Sequence, residues 1–160
     1  MSDADYLDTI AAVAENLAFL MPTGVDESEQ NDWHYQVQVQ WVGPNDTRGR
    51  IIVALDQGAA EAAAANLLAL PPGEIPAVEE IREACNELAN VIAGNILPVK
   101  YGNDHEFHLH PPQPIALAPL RGGSVVRLAL VEGIIGVAID GDADNSRILK
   151  AVRVPPGQHA

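Results

Sequence analysis

Within the run Val78 to Lys100, Glu83, Glu87 and Asn90 follow one another at spacings of four and three. On a helix such spacing stacks two carboxylates and a carboxamide side by side along one face. Glu80 and Gly94 extend that stripe at its two ends. The same run carries Ile81, Cys85, Leu88, Ile92 and Ile96 at steps of four, three, four and four, a narrow apolar stripe on the other flank. Burying Ile81, Leu88, Ile92 and Ile96 is worth on the order of 6–12 kcal/mol gross, while burying unpaired glutamates would cost several kcal/mol each. The apolar stripe therefore faces the interior and the polar stripe faces outward.

An acidic stripe is ordinarily a solvated face. Here, however, Asn86 and Asn90 are mediocre helix formers, and Gly94 costs about 1 kcal/mol relative to alanine. A face under no other demand would carry Ala, Glu or Lys. A glycine one turn beyond an outward asparagine leaves room for close approach, and we read the approaching group as the backbone of another protein.

Other reactive side chains support weaker readings. His108 and His110 point to one face of an expected strand, a spacing that can bind a transition metal. No third ligand is close in sequence and an exposed strand face gives the same pattern, so no metal is assigned. The loop Asp140 to Asn145 has the 1-3-5 acid spacing of a calcium loop, but its twelfth position falls on Ala151 instead of glutamate, so an acidic turn is the better reading. Cys85, the one cysteine, sits on the buried stripe and reads as structural. There is no Gly-rich phosphate loop, no Ser-His-Asp arrangement and no repeat of about 20–50 residues.

With 160 residues, 48% hydrophobic content and a formal charge of −13, the chain reads as one domain over residues 1–160, ending in a loose tail from Pro155. The negative charge disfavours nucleic acid and anionic membranes, which bind basic patches. No 18-residue apolar stretch and no basic-then-apolar start occur, so a cytoplasmic location is expected.

The elements that must position the polar stripe can be placed from periodicity. An amphipathic helix is expected over Asp3 to Met21, with Leu7, Ile10, Val13 or Ala14, Leu17, Leu20 and Met21 turned inward, ended by Pro22-Thr23-Gly24. Val25 to Asp32 reads as a solvated loop. Strict alternation then predicts a half-exposed strand, with Trp33, Tyr35, Val37, Val39 and Trp41 on one face and His34, Gln36, Gln38 and Gln40 on the other. A turn at Gly43 to Asp46 leads to a strand Arg48 to Leu55, and Asp56 caps an alanine-rich helix running to about Leu70. The long helix follows, with Pro76 in its first turn and Pro98 as its stop. A strand His105 to His110 comes next, then a proline-rich extended edge or crossing. The strands Ser124 to Val131 and Gly133 to Ile139 form a tight hairpin, and a last strand is expected over Arg147 to Val154. This order predicts an α+β two-layer sandwich, with long helices packed on one face of a largely antiparallel sheet.

The run Glu83-x3-Glu87-x2-Asn90, continued as Val91-Ile92-Ala93-Gly94-Asn95, resembles the signature helix of the CheC/CheX family of chemotaxis phosphatases, whose motif is Asp or Ser, three residues, Glu, two residues, Asn. The opening helix, the strand leading into a second helix and the proline-containing strand after the signature helix follow the CheX order. The second helix carries no E-x-x-N, so the resemblance is to the one-site CheX branch. The chain departs from the motif at its first position, where it has Glu83.

The resemblance implies hydrolysis of the aspartyl phosphate on a CheY-like response-regulator receiver domain. The receiver would supply the acyl phosphate, Mg²⁺ and a lysine, and this chain would need no cofactor of its own. It further implies that Asn90 positions the attacking water and Glu87 pairs with the receiver's lysine, with Glu83, Asn86 and Gly94 contacting the partner. A homodimer, as in CheX-like proteins, is compatible with this. The alternative is a non-catalytic module that docks on a receiver or another protein through the same helix face.

Overall fold

The structure, a computed structural model, describes residues 3–141. In chain order it contains α1 (Asp3–Ala18), β1 (Pro22–Val25), β2 (Tyr35–Val42), a 3₁₀ turn at Pro44–Asp46, β3 (Arg48–Leu55), α2 (Gln57–Leu67), α3 (Val78–Tyr101), β4 (His108–Leu109), β5 (Gln113–Pro114), β6 (Gly122–Leu130) and β7 (Ile134–Gly141). The strands pair antiparallel in the order β1-β6-β7-β3-β2-β4, and β5 also pairs with β2. The three helices cover one face, where Val37, Val39, Ile51, Val53, Leu55, Leu128, Val137 and Ile139 meet Ile10, Ala14, Leu88, Ile92 and Ile96 in one core. The α+β architecture expected from the element order is therefore the one observed. No helix among the described residues is long and apolar enough to cross a membrane. The part of the calcium-like loop from Asp142 onward, the strand expected over Arg147 to Val154 and the tail lie outside the described residues.

Local chemistry explains the helix ends. Asp56 Oδ1 accepts the Ala59 N–H at 2.9 Å and caps α2, whose buried Ala59, Ala60, Ala63 and Ala64 let it lie close to its neighbours. Glu80 Oε1 accepts the Ala77 N–H at 2.8 Å at the start of α3, so Pro76 precedes the cap instead of occupying the first turn. Pro98 does not stop α3, which runs three residues further to Tyr101. A proline there removes one intrahelical hydrogen bond and crowds the carbonyl one turn back. Tertiary contacts offset this: Tyr101 packs its ring 5.3 Å from Trp41 and 5.6 Å from Phe107, and Lys100 pairs with Asp140.

Other expectations are corrected by tertiary contacts. Helix α1 ends at Ala18 because Phe19 takes a left-handed backbone (φ 53°), so Met21 turns outward and is 60% exposed. Pro22–Val25 is an edge strand and not merely a stop. The alternation over 33–41 predicts a half-exposed strand, yet Gln36 and Gln38 are each only 1% exposed. The proline-rich segment crosses that face of the sheet and takes up both amide nitrogens: Gln36 donates to the Ala118 carbonyl and Gln38 donates to Gln113 Oε1 at 3.2 Å, while Gln36 Oε1 has no hydrogen-bond partner among the described residues. Trp33 lies outside β2 and packs on that same outer face, where Gly136 makes room for its ring. The strand expected from His105 shortens to His108–Leu109.

The acidic segment after β1 is also not simply solvated. Arg127 Nε donates to Asp26 Oδ2 at 2.9 Å, with side-chain exposures of 14% and 9%, and the guanidinium carbon stands 4.9 Å from the Trp33 ring. Burial works to raise the Asp26 carboxyl, but hydrogen bonds from Arg127 and Ser28 outweigh it and hold the group below its ordinary range. A carboxylate depressed in the folded state contributes stability that is complete above its unfolded pKa, about 4, and lost as pH falls through the folded value. Asp26→Asn is therefore expected to cost about 2–4 kcal/mol at pH 7, because it leaves Arg127 buried without its counter-charge. Urea unfolding at a series of pH values should show the gap from wild type closing below about pH 4.

Candidate functional site

The inner flank of α3 buries Ile81, Ala84, Cys85, Leu88, Ala89, Ile92, Ala93, Ile96 and Leu97. Its outer flank leaves Glu83, Glu87 and Gly94 exposed and Asn86 and Asn90 half-buried. Glu83, Asn86, Glu87 and Asn90 together line one side of an open groove of about 430 Å³, and Leu109, His110, Pro111 and Pro112 form the other side. Strand β4 holds that far wall by pairing Leu109 with Trp41, and the His110 N–H donates to the Gln40 carbonyl at 2.8 Å. The two prolines have restricted backbone angles and no N–H to satisfy, which suits an exposed rim.

No side-chain hydrogen bond or ion pair ties down Glu87 or Asn90 among the described residues. Asn86 differs, since its Oδ1 accepts the Tyr35 hydroxyl at 3.3 Å. Burial, with smaller contributions from Cys85 and Glu79 against an opposing one from Arg82, pushes the Tyr35 hydroxyl up to about 12, so it stays a donor at neutral pH. Asn95 donates from Nδ2 to the Val91 carbonyl at 2.7 Å, back onto its own helix, and lines a different cleft, between α1 and α3. A Cβ at Gly94 would meet only Leu109 Cδ1, at an ordinary 3.7 Å, so packing within the chain does not require glycine there.

The groove can present a neutral carboxamide and a carboxylate together to a partner, one turn apart on a rigid helix. Nothing in the local sequence points to Tyr35 as the group that holds Asn86, or to the His110-Pro111-Pro112 wall. Pro111-Pro112 signalled an extended segment but carried no information about which helix it would lie beside. His108 and His110 are neighbours, with ring centroids 5.4 Å apart, and no group of three or more His, Cys, Asp or Glu suited to a metal forms among the described residues.

A family model described as chemotaxis phosphatase CheX matches residues 35–122, more than half of the chain. The match runs from β2 to the first residue of β6 and so includes α3 and both walls of the groove. Among solved structures, the chemotaxis protein CheX from Vibrio vulnificus is similar with a TM-score of 0.65 at 18% identity, over 89% of this chain and 97% of that one. The chemotaxis protein CheX from Desulfovibrio desulfuricans gives 0.63 at 15% identity, over 89% and 100%. A CheX-CheY-BeF3-Mg complex from Borrelia burgdorferi gives 0.56 at 21% identity, over 86% and 96%. Likeness at these identities is a likeness of fold. Among curated proteins, none matches the chain at a significant level.

Two properties of α3 are directly testable. Gly94→Ala should raise the unfolding free energy by about 1 kcal/mol through helix propensity, with Tm rising about 2–4 °C in thermal melts. Burial pushes the Cys85 thiol up to about 12. Iodoacetamide at pH 8 should therefore leave the native protein unmodified for hours and label it within minutes in denaturant, as followed by mass spectrometry.

Proposed function

The chain belongs to the CheX family, and on that basis we propose that it is an aspartyl-phosphate phosphatase acting on a CheY-like receiver domain. One observation carries the proposal: Glu87, exposed, and Asn90, half-buried, line one wall of a single open groove, on a helix whose opposite flank is locked into the core. The CheX-CheY complex among the similar structures supports a receiver as partner.

The residue types suit the reaction. Phosphoryl transfer leaves a protein little covalent work, so positioning and electrostatics dominate. Water oxygen forms a bond to phosphorus, the bond from phosphorus to the aspartyl oxygen breaks, and the receiver's aspartate leaves as a carboxylate. The proton lost by the water ends on the released phosphate. The receiver brings the acyl phosphate, Mg²⁺ and a lysine. Asn90 accepts a hydrogen bond from the water through its carbonyl oxygen, which orients it in line without adding negative charge beside the phosphoryl group. Glu87, three residues earlier on the same face, pairs with the lysine and holds the register. Glu83 and Asn86 contact the receiver along the groove, and Gly94 admits its backbone.

Asn90→Ala is expected to slow dephosphorylation by about 10²–10³, by comparison with other lost positioning groups, while binding is largely kept. Glu87→Ala is expected to weaken receiver binding by at least tenfold, the loss of one charge-assisted contact. The measurement is loss of phosphate from receivers loaded by a small phosphodonor. Unchanged decay in the presence of this protein, or variants as fast as wild type, would exclude the catalytic assignment. The non-catalytic reading is favoured by Glu83, which adds a second exposed carboxylate to the groove that must accept an anionic phosphoryl group. Stable capture of a receiver that keeps its phosphate would select it.

A further inference from the structure

The groove beside α3 presents two kinds of polar group at two depths. Glu83 and Glu87 are exposed, whereas Asn86 and Asn90, one helical turn apart, are half-buried. No lysine or arginine lines the groove. An anionic phosphoryl group brought there meets two carboxylates, and the donors this chain can offer it are the amide N–H groups of the two asparagines and the imidazole of His110.

Asn86 is set apart by being held. Its Oδ1 accepts the Tyr35 hydroxyl at 3.3 Å, and Tyr35, the first residue of β2, is itself fixed by packing against the core. The guanidinium of Arg82, one turn before Asn86 on α3, also hydrogen-bonds that hydroxyl. A guanidinium only donates, so it occupies a lone pair of the tyrosine oxygen and leaves the tyrosine proton to go to Asn86. The carboxamide is thus turned with its oxygen toward the sheet and its nitrogen away from it. Asn86 Nδ2 has no partner among the described residues, so two N–H donors on an oriented group remain spare at the groove.

We propose that Asn86 is a second catalytic carboxamide, whose Nδ2 donates to an oxygen of the receiver's phosphoryl group, and that Tyr35 is the positioning residue that aims it. This rests on the phosphatase reading above. As the water oxygen bonds to phosphorus and the receiver's aspartate leaves as a carboxylate, negative charge is spread over the three remaining phosphoryl oxygens. A neutral donor aimed in advance stabilises that charge without reorganising. Asn90 serves the water and Glu87 the lysine, so the phosphoryl oxygens are the part of the reacting group that neither of them contacts.

The test is dephosphorylation of a CheY-like receiver, loaded by a small phosphodonor, over a range of receiver concentrations that separates kcat from KM. Asn86→Ala, and the isosteric Asn86→Asp, which puts an anionic oxygen where the donor stood, are expected to lower kcat about 10- to 100-fold with KM moved less than about threefold. Tyr35→Phe should lower kcat about three- to tenfold in the wild-type background and not at all in the Asn86→Ala background, because it acts through that amide. Thermal melts followed by circular dichroism check that each variant folds. A loss confined to KM in Asn86→Ala would overturn the donor role, and a Tyr35→Phe loss that persists alongside Asn86→Ala would overturn the positioning role. If the wild-type chain speeds no receiver's decay, the phosphatase reading falls and this inference with it; an active wild type whose Asn86→Ala variant keeps its full kcat overturns this inference alone.

Discussion

The roll of α3 about its own axis is the constraint on which the molecule depends. Ile81, Cys85, Leu88, Ile92 and Ile96 are buried along one line of the helix, with Ala84, Ala89 and Ala93 letting neighbouring elements come close. Rotation by one residue would carry Glu87 toward the core and Leu88 out of it, at several kcal/mol for each change. Glu83, Glu87 and Asn90 are thus aimed outward by the flank they do not occupy. Their direction is set by apolar packing, and their polar atoms stay available to a partner.

Trp41 joins the far wall of the groove to the end of that helix. Its ring contacts Tyr101 in the last turn of α3 and Phe107 just before β4, while its backbone pairs with Leu109 on one side and Gly49 on the other. Gly49 has a local reason, since a Cβ there would fall 2.9 Å from the indole. The same aromatic cluster accounts for a helix that continues past Pro98. One ring therefore ties together both sides of the groove.

The outer face of the sheet follows a different logic. The segment from β5 onward crosses it, buries Ile115 against Ile52 and Ala138, and accepts hydrogen bonds from the side-chain amides of Gln36 and Gln38. Buried amides are costly alone and tolerable when bonded, so the crossing segment and the glutamines require one another. Among the described cations, Arg82, Lys100 and Arg127 are paired with Glu79, Asp140 and Asp26. The groove itself keeps an acidic character that suits a partner bringing positive charge to it.

Local pattern carried much of this organisation. The 3.6-residue periodicity over 78–100 already separated Leu88 and Ile92 from Glu87 and Asn90, because burying glutamates in place of isoleucines is too expensive for any fold of this chain. The Asp56 cap, the β6–β7 hairpin and the α+β order were legible for similar reasons, being written in neighbouring residues. The alternation over 33–41 misled, since two-residue periodicity reports a strand but not whether a distant segment covers its second face. Pro98 misled because its cost is local, while the ring of Trp41, which helps to offset it, is distant in sequence. The groove's second wall and the tie from Tyr35 to Asn86 arise where chain segments tens of residues apart come together. Periodicity describes what a residue's neighbours in sequence require, and these features depend on neighbours in space.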